Sequence, residues 1–356
     1  MKRHAFWFLG VATFLGIAVP AVWLFYFGGF ASLLSRESAS LPVEALRRLS
    51  LAHRDATIIV LGNSTAGEGF RTEWFNRHSP KERALNLAVP SGHIYTIERM
   101  LALAMQEGLR PREIIVTASP EVLSLRPDFD FLMNDLMLLK TVLASEDLAR
   151  LSAHTPDAGS YFDYASRVAF RPVLFHAELR DFLLHPRQRL KEAATVRKYL
   201  ASIDRNTPLY QTSDSFSVCG VGPLADLKEK IETLEAAHDP VATDYKKLDA
   251  GYSMRAHLPL AVDGFQTQRF RHMLTTLAAV AHVYVVPAPY YDPEFQQYSA
   301  AYRSRMEETI RRETEGVAGV TLLPAFHADC SMFADTIHLN VSGGEQFTEF
   351  LRARVL

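Results

Sequence analysis

The sequence predicts an α/β fold built on a parallel sheet, and three observations predict it. Short β-branched runs alternate with helical stretches, turn residues follow the carboxyl ends of those runs, and the rhythm breaks once before resuming. The first run, Thr57-Ile-Ile-Val-Leu61, is continuously apolar. That pattern fits a strand covered on both faces, whereas a half-solvated strand would alternate apolar with polar residues.

The elements follow in order. A helix is expected over residues 71–77, a strand over 84–89, a helix over 93–107 and a strand over 113–118. The rhythm returns with a helix over 264–281 and a strand over 282–287. A helix over 294–315, a strand over 320–323 and a closing helix over 342–355 complete it. Between these halves, residues 126–263 break the alternation. Leucine-rich and aromatic helical stretches at 131–143 and 175–184 are divided by Pro156, Pro172, Pro186 and Pro208. Residues 224–237 place Leu227, Ile231 and Leu234 on one helical face. This section reads as a helical insertion or cap over the sheet, since no flexible linker brackets it as a separate domain.

The N-terminus carries a different signal. No charged residue occurs from Ala5 to Leu34, and residues 6–27 are almost wholly apolar. A helix of that length crosses a ~30 Å hydrocarbon core. Trp7, Trp23, Tyr26 and Phe27 suit the interfaces, and Lys2 and Arg3 ahead of the run favour a cytoplasmic N-terminus with the remainder outside. A cleaved signal peptide has a shorter apolar region of ~7–15 residues. Cleavage around residues 18–21 would leave Val-Trp-Leu-Phe-Tyr-Phe at the mature end. The expected organisation is an anchor at 1–34, a connector at 35–55 with a short helix near 43–50, and one catalytic domain at 56–356.

Composition narrows the partners. The chain has 356 residues, 48% hydrophobic and 22% charged, with a formal net charge of −2. Such a balance gives no basic excess for nucleic acid. There is no internal repeat, and no glycine loop of the kind that cradles phosphate. The two cysteines, Cys219 and Cys330, are free to pair in an oxidising compartment or to be two separate buried thiols.

Two segments carry chemistry. Gly62-Asn63-Ser64 follows the first strand directly, where the carboxyl edge of an open parallel sheet binds ligands. Asp335-Thr-Ile-His338-Leu-Asn follows the last strand and reaches the same edge. A serine hydroxyl needs a base to become nucleophilic, and an imidazole within ~2.6–3.2 Å supplies one. A carboxylate on the other ring nitrogen fixes the tautomer and stabilises the imidazolium. Spacing of three residues lets Asp335 and His338 share one turn. Ordinary readings exist for both: a Gly-Asn-Ser turn, and a capping aspartate beside a surface histidine.

Together these blocks resemble the SGNH, or GDSL-like, hydrolase superfamily. Asn63 stands where an aspartate is frequent. The resemblance implies a flavodoxin-like three-layer α/β/α sandwich and acyl-ester chemistry through Ser64, Asp335 and His338, without metal or cofactor. It also implies an oxyanion hole formed by the Ser64 and Gly92 amides, Gly92 closing the block Asn86-Leu-Ala-Val-Pro-Ser-Gly92. The family's third block supplies an asparagine, but here Thr117-Ala-Ser-Pro-Glu121 stands in its place, making Ser119 the substitute donor. That departure is shared by extracytoplasmic acyl-transfer relatives, such as the teichoic-acid D-alanyl transfer protein and the periplasmic polysaccharide and peptidoglycan O-acetyltransferases.

The expected activity is therefore O-acyl transfer, acetyl in the first instance, involving a cell-envelope or exported polysaccharide. The acceptor would be a glycan and the acyl supplier a multispanning membrane acyltransferase. A membrane-anchored esterase or deacetylase with the same triad, and an inactive polysaccharide-assembly scaffold, are the alternatives. His93 reads as a surface residue at a helix start. His327, Asp329 and Cys330 lack the paired spacing of a zinc site.

Overall fold

The computed structural model describes residues 34–119, 130–203, 224–238, 264–289 and 300–356 apart from 336, with residues 7, 10–13, 15, 16 and 246. Most of the apolar run 6–27 lies outside the described residues. Those of its residues that are described are helical. Among the described residues no helix is long and apolar enough to cross a membrane.

Five strands form one sheet: β1 (Ile58–Leu61), β2 (Ala84–Asn86), β3 (Glu113–Ala118), β4 (His282–Pro287) and β5 (Val320–Leu322). Their order is β2-β1-β3-β4-β5 and every pair is parallel. All four β1 residues and Ile114–Val116 of β3 are fully buried, as continuous apolar runs require. The edge strand β5 is only half-buried. Expectation and structure agree to the residue for β3 and β4.

Strand β2 ends three residues earlier than expected, and Asn86 explains why. Its carboxamide oxygen accepts from the Ala88 amide at 3.1 Å, while its nitrogen donates to the carbonyls of Ala66, Gly67 and Phe70 at 3.1–3.2 Å. A side chain held that way diverts the chain out of the ladder.

The helices, in chain order, begin with α1 (Leu41–Ala52), α2 (Ser64–Gly69), α3 (Thr72–His78), α4 (Ile94–Gln106) and α5 (Phe131–Leu139). Next come α6 (Glu146–Leu151), α7 (Ala158–Ala169), α8 (His176–Leu184), α9 (Pro186–Ser202) and α10 (Leu224–Ala236). The series ends with α11 (Gly264–Ala278), α12 (Ala300–Thr314) and α13 (Val341–Val355). The connector is mostly helical, because α1 buries Val43, Ala45, Leu46 and Leu49.

The chain divides into two compact units. One holds residues 1–45 and 136–204, the other 46–135 and 205–356. Helix α10 lies inside the expected insertion yet belongs to the sheet unit. Its Ile231 joins a core cluster with Val60, Phe70, Phe75, Ile115, Phe333, Leu339 and Phe347. Of the apolar face read at 224–237, Ile231 is thus satisfied by the sheet's own core. In the other unit, Leu136, Leu151, Leu174, Phe175 and Val196 are buried. Lys140 is buried there too, paired with Glu178 and lying 5.0 Å from the centre of the Phe175 ring. A buried ammonium needs such a partner, because desolvation alone would strongly disfavour its charge.

Candidate active site

Strand order reverses between β1 and β3, and in open α/β sheets this switch point opens a crevice beyond the carboxyl ends. Ser64 stands there as the first residue of α2. The passage from strand to helix is abrupt and depends on Gly62. Its φ is +152°, a conformation side chains rarely adopt. A Cβ at that position would lie 2.3 Å from the Thr117 Oγ1 and 2.7 Å from the Ala66 Cβ. Only glycine lets β1 turn into α2 so close to β3.

Asn63 has two tasks. Its Oδ1 accepts from the Thr65 amide at 3.1 Å and the Thr65 hydroxyl at 2.7 Å, capping α2. Its Nδ2 donates to the Ser119 Oγ at 3.0 Å, across the switch point. As acceptor in that bond, the Ser119 hydroxyl keeps its own proton to donate elsewhere. The Ser64 amide makes no hydrogen bond among the described residues.

The second half of the site is the loop between β5 and α13. Residues Phe333 and Leu339 form an isolated antiparallel bridge, and the Ala334 amide donates to the His338 carbonyl at 2.8 Å. Between them the Asp335 Oδ1 accepts from the amides of Ile337 and His338 at 2.8 and 2.7 Å. Helix α13 starts only at Val341, capped by the Asn340 side chain accepting from the Gly343 amide at 2.9 Å. The spacing of three therefore works through a carboxylate-capped turn, a common local bond for aspartate.

This loop completes a triad. The His338 Nε2 is 2.9 Å from the Ser64 Oγ, and its Nδ1 is 2.6 Å from the Asp335 Oδ2. All three residues are partly exposed. Burial pushes the Asp335 carboxyl up, but the His338 hydrogen bond and charge and the two backbone amides outweigh it, leaving it below its ordinary value. Asp335 is therefore set to stay ionised and hold the imidazole.

The remaining expected residues divide. Gly92 lies in the loop after β2, but its amide donates to the Val89 carbonyl at 2.9 Å. Its tight-turn role is clear: a Cβ would stand 2.8 Å from the Thr96 Cγ2 and 3.0 Å from the Val89 carbonyl oxygen. Ser91, beside it, takes a left-handed φ of 58°. The Asn134 Nδ2 secures that turn, donating to the Ser91 carbonyl at 2.7 Å. His93 is buried, correcting its reading as a surface residue. Its amide donates to the Asp135 Oδ1 at 2.9 Å and its ring meets Phe131 edge-on at 4.5 Å. Asp135, fully buried, also takes the amides of Tyr95 and Thr96 and the Thr96 hydroxyl, so a carboxylate from α5 caps α4.

Of the cysteines, Cys330 is disulfide-bonded, while Cys219 lies outside the described residues. Asp329 caps the short 3-10 turn Cys330–Met332 by accepting from the Ser331 amide, an ordinary structural use. Two residues were missed from the sequence. Glu68, one turn beyond Ser64 on α2, interacts electrostatically with His338, Asp335 and Arg71. Asn86 fastens the carboxyl end of α2. An i+4 offset from the nucleophile was the available signal for Glu68; nothing local marked Asn86.

Compared with known proteins, the chain matches no family model, no curated protein and no solved structure. The class of the molecule rests on its own geometry: an α/β chain with a parallel sheet and a serine–histidine–aspartate arrangement at the sheet's carboxyl edge.

Proposed function

We propose that this chain is a serine-dependent O-acyltransferase of the SGNH type, working outside the cytoplasm on a cell-envelope or exported polysaccharide. The observation that carries the reading is the hydrogen-bonded chain Ser64–His338–Asp335. The strand order 2-1-3-4-5 supports the flavodoxin-like three-layer sandwich that the family reading implies. The apolar N-terminal run supports a single anchor with its amino end inside. Trp7, Val11 and Leu15 of that run are helical and exposed.

In the proposed reaction the Ser64 Oγ attacks the acyl carbonyl of the donor while the His338 Nε2 takes its proton. The imidazolium, held by Asp335, then returns that proton to the departing donor group as the carbonyl–donor bond breaks. A glycan hydroxyl next loses its proton to His338 and attacks the acyl-Ser64 carbonyl. Collapse of the second tetrahedral intermediate releases the acylated glycan and reprotonates Ser64. The Ser64 amide and the Ser119 hydroxyl are the oxyanion donors of this scheme, each worth ~2.7–4 kcal/mol if aimed at the developing charge. Gly92 contributes its amide only if the bond to Val89 opens; otherwise it shapes the wall.

Transfer in place of hydrolysis is supported by the departure at the third block and by the anchor, which suits a multispanning partner delivering acyl groups across the bilayer. The test is product partition. Full-length protein with its membrane partner, an acyl donor and candidate glycans should yield acylated glycan. Free acid alone at saturating acceptor would defeat transfer and leave an esterase.

A further inference from the structure

Outside the sheet unit, helices α7–α9 display large apolar side chains to solvent. Phe162 and Phe170 are exposed, Leu183 and Leu184 at the end of α8 are 77% and 62% exposed, and Leu190 on α9 is 53% exposed. Isolated exposed leucines mean little, but a contiguous group marks a contact surface.

Helix α9 reveals the pattern. One face, Arg189, Ala193, Val196 and Leu200, is buried. Another stripe at helical spacing consists of Arg187, Leu190, Lys191, Ala194, Arg197 and Lys198, all exposed. Residues 158–202 contain eight Lys/Arg against four Asp/Glu. Those four acids are already engaged: Asp163 with Arg167, Glu178 with Lys140, and Asp181 and Glu192 with Arg189. Within residues 158–202 the exposed stripe therefore keeps an excess of positive charge.

We propose that this surface of α8 and α9 rests on an anionic lipid bilayer. Leu183, Leu184 and Leu190 enter the boundary between headgroups and acyl chains, while Arg187, Lys191 and Lys198 meet lipid phosphates. Leu190 among cations on one stripe of α9, with Leu183 and Leu184 exposed at the end of the preceding helix, is a composition that suits an interfacial surface. Lysine, by contrast, is depleted from protein–protein interfaces. The location also fits, because residues 34–45 belong to the same compact unit and the apolar run proposed as the anchor immediately precedes them in the chain. The inference uses that anchor for placement, not for its chemistry.

The test uses the full chain with Leu184→Cys carrying an environment-sensitive fluorophore. Labelling is done under non-reducing conditions, so that Cys330 stays in its disulfide. The protein is reconstituted into nanodiscs of phosphatidylcholine with or without phosphatidylglycerol. The probe should shift to the blue and be quenched by brominated lipid in phosphatidylglycerol discs. The effect should fall severalfold in pure phosphatidylcholine and in the combined Arg187→Glu, Lys191→Glu, Lys198→Glu variant. A Ser304→Cys probe on α12 is the aqueous reference. A probe at 184 that stays aqueous in both lipids overturns the proposal. Protection seen only in native membranes with their proteins also overturns it, assigning the surface to a protein partner. Carbonate extraction scores the anchor separately. A chain that is extracted, yet binds phosphatidylglycerol vesicles through residue 184, would sink the anchor and sustain the surface.

Discussion

The Ser64 Oγ and the His338 Nε2 meet at 2.9 Å although 274 positions separate them in the chain. Two loops at the carboxyl edge of one parallel sheet make that meeting, one after β1 and one before α13. Replacing either residue by alanine should lower acyl turnover by on the order of 10⁴–10⁶-fold without altering the far-ultraviolet dichroism. Asp335→Asn should cost about 10³–10⁴-fold, since an amide there favours the wrong imidazole tautomer. Steady-state kinetics on purified variants would measure both. Near-normal turnover of Ser64→Ala would remove the assignment.

Asn63 joins the nucleophile's helix to Ser119 by donating a hydrogen bond to its Oγ. An aspartate in its place still caps α2, but it cannot donate. The Ser119 proton would then turn toward the new carboxylate and away from substrate. Asn63→Asp is predicted to leave thermal stability nearly unchanged and to lower kcat about 10–100-fold, with a smaller change in KM. A matching loss in Ser119→Ala, and no further loss in the double variant, would show that the two act as one unit.

Gly62→Ala should destabilise the fold by about 2–4 kcal/mol, combining overpacking with an unfavourable backbone angle. Removing the Thr117 hydroxyl with Thr117→Ala should recover part of that loss, because the shortest clash is with its Oγ1. Urea melts of the single and double variants would decide it.

Buried Asp135 accepts four hydrogen bonds at the start of α4. Asp135→Ala should cost on the order of 3 kcal/mol, since charged acceptors are worth most where their donors are buried. It should also loosen the Ser91–Gly92 turn. Faster amide exchange at residues 91–96 in the variant is the expected signature.

Glu68 gives a pH dependence. Burial pushes its carboxyl above the ordinary value; His338 pulls it down, Asp335 pushes it up and Arg71 pulls it down. A raised carboxyl means that the fold disfavours the ionised form. That cost is absent below the ordinary glutamate pKa and appears as pH rises past it. Glu68→Gln should therefore raise Tm at neutral pH and lose that advantage near pH 4. The same change removes a negative charge facing His338, so the acid limb of kcat/KM should move to lower pH. Movement to higher pH would contradict the electrostatic role.

The strands and the two motifs that meet at the site were legible because each is written locally. Continuous β-branched runs mark β1, β3 and β4, and turn motifs fall at their carboxyl ends. The limits lay where one residue answers to a distant one. Asn86 shortens β2 by bonding to carbonyls around the end of α2, and Asp135 takes the His93 amide from 42 positions away. Whether Ile231 faces the sheet core or a cap likewise depends on what the sheet leaves uncovered, which periodicity cannot express. In cation-rich α9 only burial separates the two stripes.

The central claim is that Ser64 carries the acyl group between donor and glycan. Peptide mass spectrometry of full-length protein, quenched in acid after brief exposure to an acyl donor, tests it most directly. An acyl adduct should appear on the peptide containing Ser64 and build up in His338→Ala far more slowly than in wild type. The adduct should be absent in Ser64→Ala and should decay when glycan acceptor is added. Acyl transfer to glycan that proceeds undiminished in Ser64→Ala, with no adduct on that serine in wild type, would contradict it.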